Sequence, residues 1–247
     1  MAGRPSTGPG EQAPGTADAA GSGSVAGPGQ GGFAASLKQR PGGKGAAGLK
    51  GGAGPSLFWS DVIVPGRPHV LVLDAVADRH GWEAEACQRI AASLVRRNIA
   101  VVGGSPIPVA GADDLRSAIE SASDYNCVFL SARADASPSA AECWAALKEA
   151  LAGETKLFAM CTWDSADPDV SADVLAAEDT FAPLAVVQQE EMTGRGASLF
   201  FMKFFAELDM HSESTSSLSG KMVWFGHSKA REIMRRRHYD GRVVLRS

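Results

Sequence analysis

Cysteine is scarce in this chain, and the four present, Cys87, Cys127, Cys143 and Cys161, show no CxxC spacing. Each sits inside an apolar pattern, which predicts reduced core thiols of a cytoplasmic protein and not disulfides or a metal centre. The five histidines, His69, His80, His211, His227 and His238, lack metal-ligand spacing as well, so no metal is expected. No apolar run reaches the length of a membrane span, and the first 30 residues hold no continuous apolar core of the kind a secretory signal needs. Apart from Phe33, Leu37 and Leu49, large apolar residues are almost missing from residues 1–55, which nevertheless contain 17 of the 28 glycines. Such a segment cannot bury enough surface to offset its ordering entropy, and residues 1–57 read as a disordered Gly/Ala/Pro-rich tail. An excess of positive charge is lacking too. The tail carries five basic and two acidic residues, leaving 19 basic against 26 acidic, a net of −7, in the rest. That balance argues against an extended nucleic-acid surface on the folded part.

What is present is an alternation of short apolar runs with amphipathic segments. Val70–Leu73 is wholly apolar, as expected for a strand covered on both faces. Glu83 to Arg97 reads as a helix with Ala84, Cys87, Ile90, Ala91, Leu94 and Val95 inward and Glu83, Glu85, Gln88, Arg89, Arg96 and Arg97 outward, stopped at Asn98. Strands at Ile99–Val102, Cys127–Leu130, Leu157–Met160 and Leu184–Val187 alternate with helices at about 112–122, Ser137 onward, Asp167 to Ala177 and Ala197 to Leu208. For the third helix, Ser137 is a candidate cap with Pro138 in the first helical position, and Ser139 with Glu142 is a candidate capping box. This alternation predicts an open, doubly wound, mostly parallel five-stranded sheet with helices on both faces. The α/β domain is read as residues 58–210. A Ser/Thr-rich break at 211–219, a helix at Met222–Arg237 and a short strand at Arg242–Leu245 follow, expected to pack on the domain.

The order of small motifs adds a resemblance. Asp78-Arg-His-Gly-Trp82 follows the first strand. A Pro/Gly loop, Ser105 to Gly111, precedes Asp113-Asp-Leu115. Phe129-Leu-Ser131 leads into a Ser/Cys/Trp helix, and Thr162-Trp-Asp-Ser-Ala-Asp-Pro168 follows the fourth strand. Residues 68 to 190 in this order resemble a TIR (Toll/interleukin-1 receptor) domain, which implies a flavodoxin-like sheet and a signalling or interaction module. In the family the loop matching Ser105–Gly111 is the BB loop, so Pro106, Pro108 and Gly111 are the expected interaction-loop residues, with self or other TIR domains as partners. The resemblance also offers NAD⁺ cleavage. The family commonly shows Trp-Cys-x-x-Glu-Leu in the third helix, where the glutamate stabilises the charge developing on the ribose. Aligning Cys143 and Leu147 to that pattern places Ala146 where the glutamate would be and Glu142 where the tryptophan would be. An alanine has no carboxylate to serve.

Glu142 and Glu149 lie one turn either side of Ala146 and are the candidate catalytic acids if the chain cleaves NAD⁺. The competing reading is a solvated helix face with Glu142 as a cap, because the apolar stripe Ala140, Cys143, Trp144, Leu147 and Leu151 lies nearly opposite. The crevice beyond the carboxyl ends of parallel strands is where such sheets bind ligands. There Arg79 and Arg133 are candidates to meet a phosphate, Trp163 to stack on a nucleobase or ribose, and Ser131 to line a nucleotide. Gly103-Gly104 does not extend to a dinucleotide fingerprint. Cys161 at a strand end invites a caspase-like peptidase of the CHAT kind, but the His-Gly pair expected after the third strand is replaced by Ser131-Ala132-Arg133-Ala134. Arg235-Arg236-Arg237 fits a helix C-terminus, where the macrodipole favours cations. The leading expectation is therefore a TIR-like interaction module without catalysis or cofactor, and the alternative is an NAD⁺ glycohydrolase.

Overall fold

A computed structural model describes residues 62–76, 82–163, 168–176, 181–190 and 192–246. The expected tail, residues 1–57, lies outside the described residues. No described helix is long and apolar enough to cross a membrane.

The chain runs through β1 (Ile63–Pro65) and β2 (His69–Asp74), whose four central residues are all buried. α1 (Trp82–Arg96) follows and stops where Asn98 takes a left-handed φ of 59°, the conformation Asn tolerates best after Gly. Next come β3 (Ala100–Val101), a turn at Val102–Gly104, and β4 (Ile107–Pro108). Gly103 and Gly104 hold positive φ in that turn, which ends the strand expected at Ile99–Val102 and lets β4, from the segment read as a loop, pair on the same edge of β2. α2 (Ala112–Ser121), β5 (Cys127–Arg133), α3 (Ala140–Ala150) and β6 (Leu157–Trp163) come next. They are followed by α4 (Pro168–Ala176), β7 (Leu184–Gln188) and α5 (Gly194–Ser212). β8 (Ser217–Ser219), α6 (Gly220–Arg236) and β9 (Val243–Leu245) complete the chain.

The main sheet is open, doubly wound and mostly parallel. Its order is β3-β2-β5-β6-β7-β9, with β4 also on β2, and β9 alone runs antiparallel to its neighbour β7. Taken as crossover units, the parallel strands lie in the flavodoxin-like order 2-1-3-4-5. The sheet has seven strands where the sequence predicts five, because β4 is too short to show a period and β9 joins from a segment read as an appendage. β1 and β8 form a separate antiparallel pair.

Val70, Val72, Phe129, Ala159, Cys161 and Val186 face α1, α5 and α6, while Leu71, Leu73, Val128, Leu130, Phe158 and Val187 face α2, α3 and α4. The period-2 alternation thus feeds two cores from one sheet. The domain division read at 210 falls inside α5. The C-terminal segment is part of the core: Val223, Ala230 and Met234 of α6 and Val243 of β9 are buried there. α3 starts two residues later than Ser137 and Pro138 suggest. Ser139 is the cap, its hydroxyl accepting from the Glu142 amide at 3.2 Å while the Glu142 carboxylate accepts from the Ser139 amide at 2.7 Å. That reciprocal pair satisfies two otherwise orphaned amides and sets the register.

Candidate functional site

The strand order changes direction between β2 and β5, so the switch-point crevice lies beyond Asp74 and Ser131. The chain there is pinned by the backbone. Ala75 N–H donates to the Ser131 carbonyl at 2.7 Å, and Val109 N–H to the Asp74 carbonyl at 2.8 Å. Asp74 is half-buried and also accepts weakly from the Val76 amide at 3.4 Å. Ser131 is fully buried, and its hydroxyl accepts from the Trp163 indole N–H at 2.7 Å. Trp163 is likewise fully buried. Its ring is a core element that roofs Ser131, so neither residue lies open to a ligand as the sequence suggests. A large ring at a strand end is equally suited to plugging a crevice and to lining it, and only packing decides. Arg133 is turned to Asp135 at 3.2 Å, and the guanidinium holds that carboxyl below its ordinary range. Arg79 and Asp164 lie outside the described residues.

Deeper in the same edge, Gln188 organises a polar group. Its amide Nε2 donates to the carbonyls of Thr162 at 2.8 Å and Glu190 at 2.9 Å, and its Oε1 accepts from the Cys161 thiol at 2.9 Å. Burial pushes the Cys161 thiol well up, as it does Cys87, to which the charge of Asp74 adds. A thiol held protonated and already donating is no nucleophile at neutral pH. Thr162 Oγ1 is buried here without a hydrogen-bond partner among the described residues.

Two of these groups were not read from the sequence. Gln188 ends an apolar strand run and offered only its type. Glu83 was read on the solvated side of α1 but is 6% exposed. Its spacing to Cys87, Ile90 and Leu94, steps of four, three and four, places it on the buried stripe, a signal legible in principle. Val95, read inward, is 44% exposed.

The α3 acids stand elsewhere. Glu142 is exposed and occupied in the capping box, and Glu149 is exposed and paired with Arg116 of α2 at 2.8 Å. Ala146 is 3% exposed among Cys143, Trp144 and Leu147. The structure therefore brings the two glutamates together with neither Ser131 nor Trp163. The loop 103–111 is a distinct surface. Pro106 is buried and anchors it, Pro108 is exposed, and Gly111 is extended at φ −175°, a conformation open to any residue. Ile107 and Pro108 face Asp114, Ser117, Ala118 and Ser121 of α2 across a cavity of about 450 Å³. The loop's far end is fixed by the Ala110 amide, which donates to the Asp114 carboxylate at 3.1 Å.

No family model matches the chain, and no curated protein matches it. The class of protein that the structure defines is thus given by its fold alone, an open α/β sheet of flavodoxin-like order.

Proposed function

We propose that this chain is a TIR-like interaction module, acting by association with itself or with another TIR domain and without catalysis. The observation that carries the reading is Ala146. It is buried, and in the register that the TIR resemblance implies it takes the place of the carboxylate that NAD⁺ cleavage would need, while the two neighbouring acids are engaged at the surface, Glu142 with the Ser139 amide and Glu149 with Arg116. The loop 105–111, with Pro108 exposed, supplies part of the contact surface. Its prolines and its anchored ends limit the conformational freedom lost on docking.

Light scattering of the full chain against concentration tests this. The expected mass rises with concentration, and Pro108→Asp returns it to the monomer value. A monomer at high concentration that also ignores added TIR domains would count against the proposal. Incubation with NAD⁺ is expected to release no nicotinamide. Release that disappears in Glu142→Gln or Glu149→Gln would replace the proposal with a glycohydrolase.

A further inference from the structure

Three helices far apart in sequence gather arginines at one place. Arg89 and Arg96 of α1, Arg195 in the first turn of α5 and Arg237 at the end of α6 line a depression of about 410 Å³. Arg89 pairs with Glu85, but Arg96, Arg195 and Arg237 have no acidic partner among the described residues. Collecting like charges around a concavity is unfavourable in itself, and it happens here on a folded part whose net charge is −7. An anion in the depression removes that repulsion.

A second observation points the same way. Ser198 lines the depression and is 5% exposed, and its hydroxyl has no hydrogen-bond partner among the described residues. A helical serine ordinarily satisfies its hydroxyl on the carbonyl one turn back. Here that bond is absent, in a residue that lines the same depression as the arginines. Leu199 and Met202 give the depression an apolar floor. Arg89, Arg195 and Tyr239 form its boundary with an adjoining hollow of about 450 Å³, which is also lined by Glu85. That carboxylate disfavours negative charge in the adjoining hollow and directs it towards Arg96, Arg195 and Arg237. Guanidinium forks match phosphate oxygens bidentately, and several forks around one hollow suit more than one phosphate.

We infer that this depression is a binding site for a polyphosphorylated small molecule, held by Arg96, Arg195 and Arg237 with the Ser198 hydroxyl as an additional donor. The site is built from other residues than the loop 103–111 and stands or falls independently of the proposed association. The same chemistry is offered by a free polyphosphate and by a multiply phosphorylated lipid headgroup.

The test is calorimetric titration of the full chain with inorganic tripolyphosphate at low and at physiological salt. Saturable binding is expected, stronger than for inorganic phosphate and weakened by salt. Arg195→Ala and Arg237→Ala are each expected to weaken it about tenfold, the scale of a lost charge-assisted contact. Ser198→Ala is expected to weaken it about threefold while leaving the thermal midpoint no lower than wild type, since it removes an unsatisfied buried hydroxyl. That combination separates a ligand role from a structural one. Arg116→Ala, on the opposite face of the sheet, is expected to change nothing. Flotation with phosphatidylcholine vesicles containing a phosphatidylinositol bisphosphate identifies the source: association lost in Arg195→Ala/Arg237→Ala marks a headgroup, and tripolyphosphate binding without association marks a soluble ligand. Absence of saturation at millimolar tripolyphosphate overturns the inference. So does binding that survives the double substitution, which would assign it to the basic residues of 1–57.

Discussion

On one face of the main sheet α5 presents Phe200, Phe201, Phe204 and Phe205 in a single helix, and Phe201 meets Phe129 of β5 edge-on at 4.9 Å. On the other, Trp144 of α3 meets Phe158 at 5.0 Å and Phe181 at 5.5 Å, with its indole N–H reaching the Asp173 carboxylate of α4. Both faces are aromatic, but they are assembled differently. α2, α3 and α4 are crossovers between successive strands, with the Ser139–Glu142 box inside α3 and the Lys148–Asp173 pair at 2.9 Å joining the neighbouring crossovers α3 and α4. The α5 face needs the end of the chain, because α6 lies against α5 and β9 closes the sheet edge beside β7. At the α5–α6 contact, a Cβ on Gly226 would stand 3.3 Å from the Phe204 carbonyl oxygen. The contrast teaches that one face is built of nearly self-contained units, whereas the other is held by a few close approaches between distant segments.

Substitutions can break or sharpen that contrast. The largest effect is expected from Phe201→Ala. The residue is fully buried within the α5 cluster, and its loss should lower stability by about 3–5 kcal/mol in denaturant unfolding. Trp144→Ala is expected to cost less, since its edge reaches Asp173 and Lys148 near solvent; the reverse ranking would make the Trp144 cluster the more tightly packed of the two. Gly226→Leu comes next, at about 1–3 kcal/mol, because backbone and Phe204 must move apart to admit the side chain. Gly104→Ala, where φ is +72° and no atom lies within 4 Å, should cost about 1 kcal/mol through backbone strain alone.

Of similar size is Ser139→Ala, expected to lose about 1 kcal/mol with the cap of α3. If the cap is the whole role of Glu142, Glu142→Gln should retain most of that stability in thermal unfolding. A drop equal to that of Ser139→Ala would show that the negative charge matters more than the hydrogen bond.

The last effect is a slope with pH. His227 is 7% exposed and its ring nitrogen lies 2.8 Å from the Val243 carbonyl. Burial, with the charge of Arg231 adding, holds its pKa below the ordinary 6.5 despite that bond. The unfolded chain therefore binds the proton more readily than the folded one. The stabilisation is fully present above 6.5 and is lost as pH falls through that value towards the folded pKa. Unfolding free energy measured between pH 7 and pH 5 should decline, and His227→Phe should flatten the decline. An unchanged slope in that variant would assign it to other groups.

Much of the fold is legible along the chain. The α3 stripe Ala140, Cys143, Trp144, Leu147 and Leu151 is buried as its spacing of three and four predicts. The five expected parallel strands lie where apolar runs of four residues place them, the second shortened to Ala100–Val101. β4 and β8 escape notice because two or three residues cannot display a period. Of the candidate site, the sequence supplies residue types and strand ends, but the burial of Ser131 and Trp163 follows from how neighbouring strands stack. Both leave the surface because Trp163 of β6 donates to Ser131 of β5 from two registers apart, a relation no local pattern encodes.

By itself the sequence determined which segments are strands and helices and which helix faces are apolar. These follow from side-chain periodicity, a property of neighbours within two turns of helix or a few residues of strand. Tertiary structure alone decided that β9 closes the sheet and that arginines some 150 residues apart along the chain, Arg89 and Arg237 among them, line one depression. Those outcomes depend on which apolar surfaces are buried against each other, and the gain from burying them is non-directional and indifferent to separation along the chain.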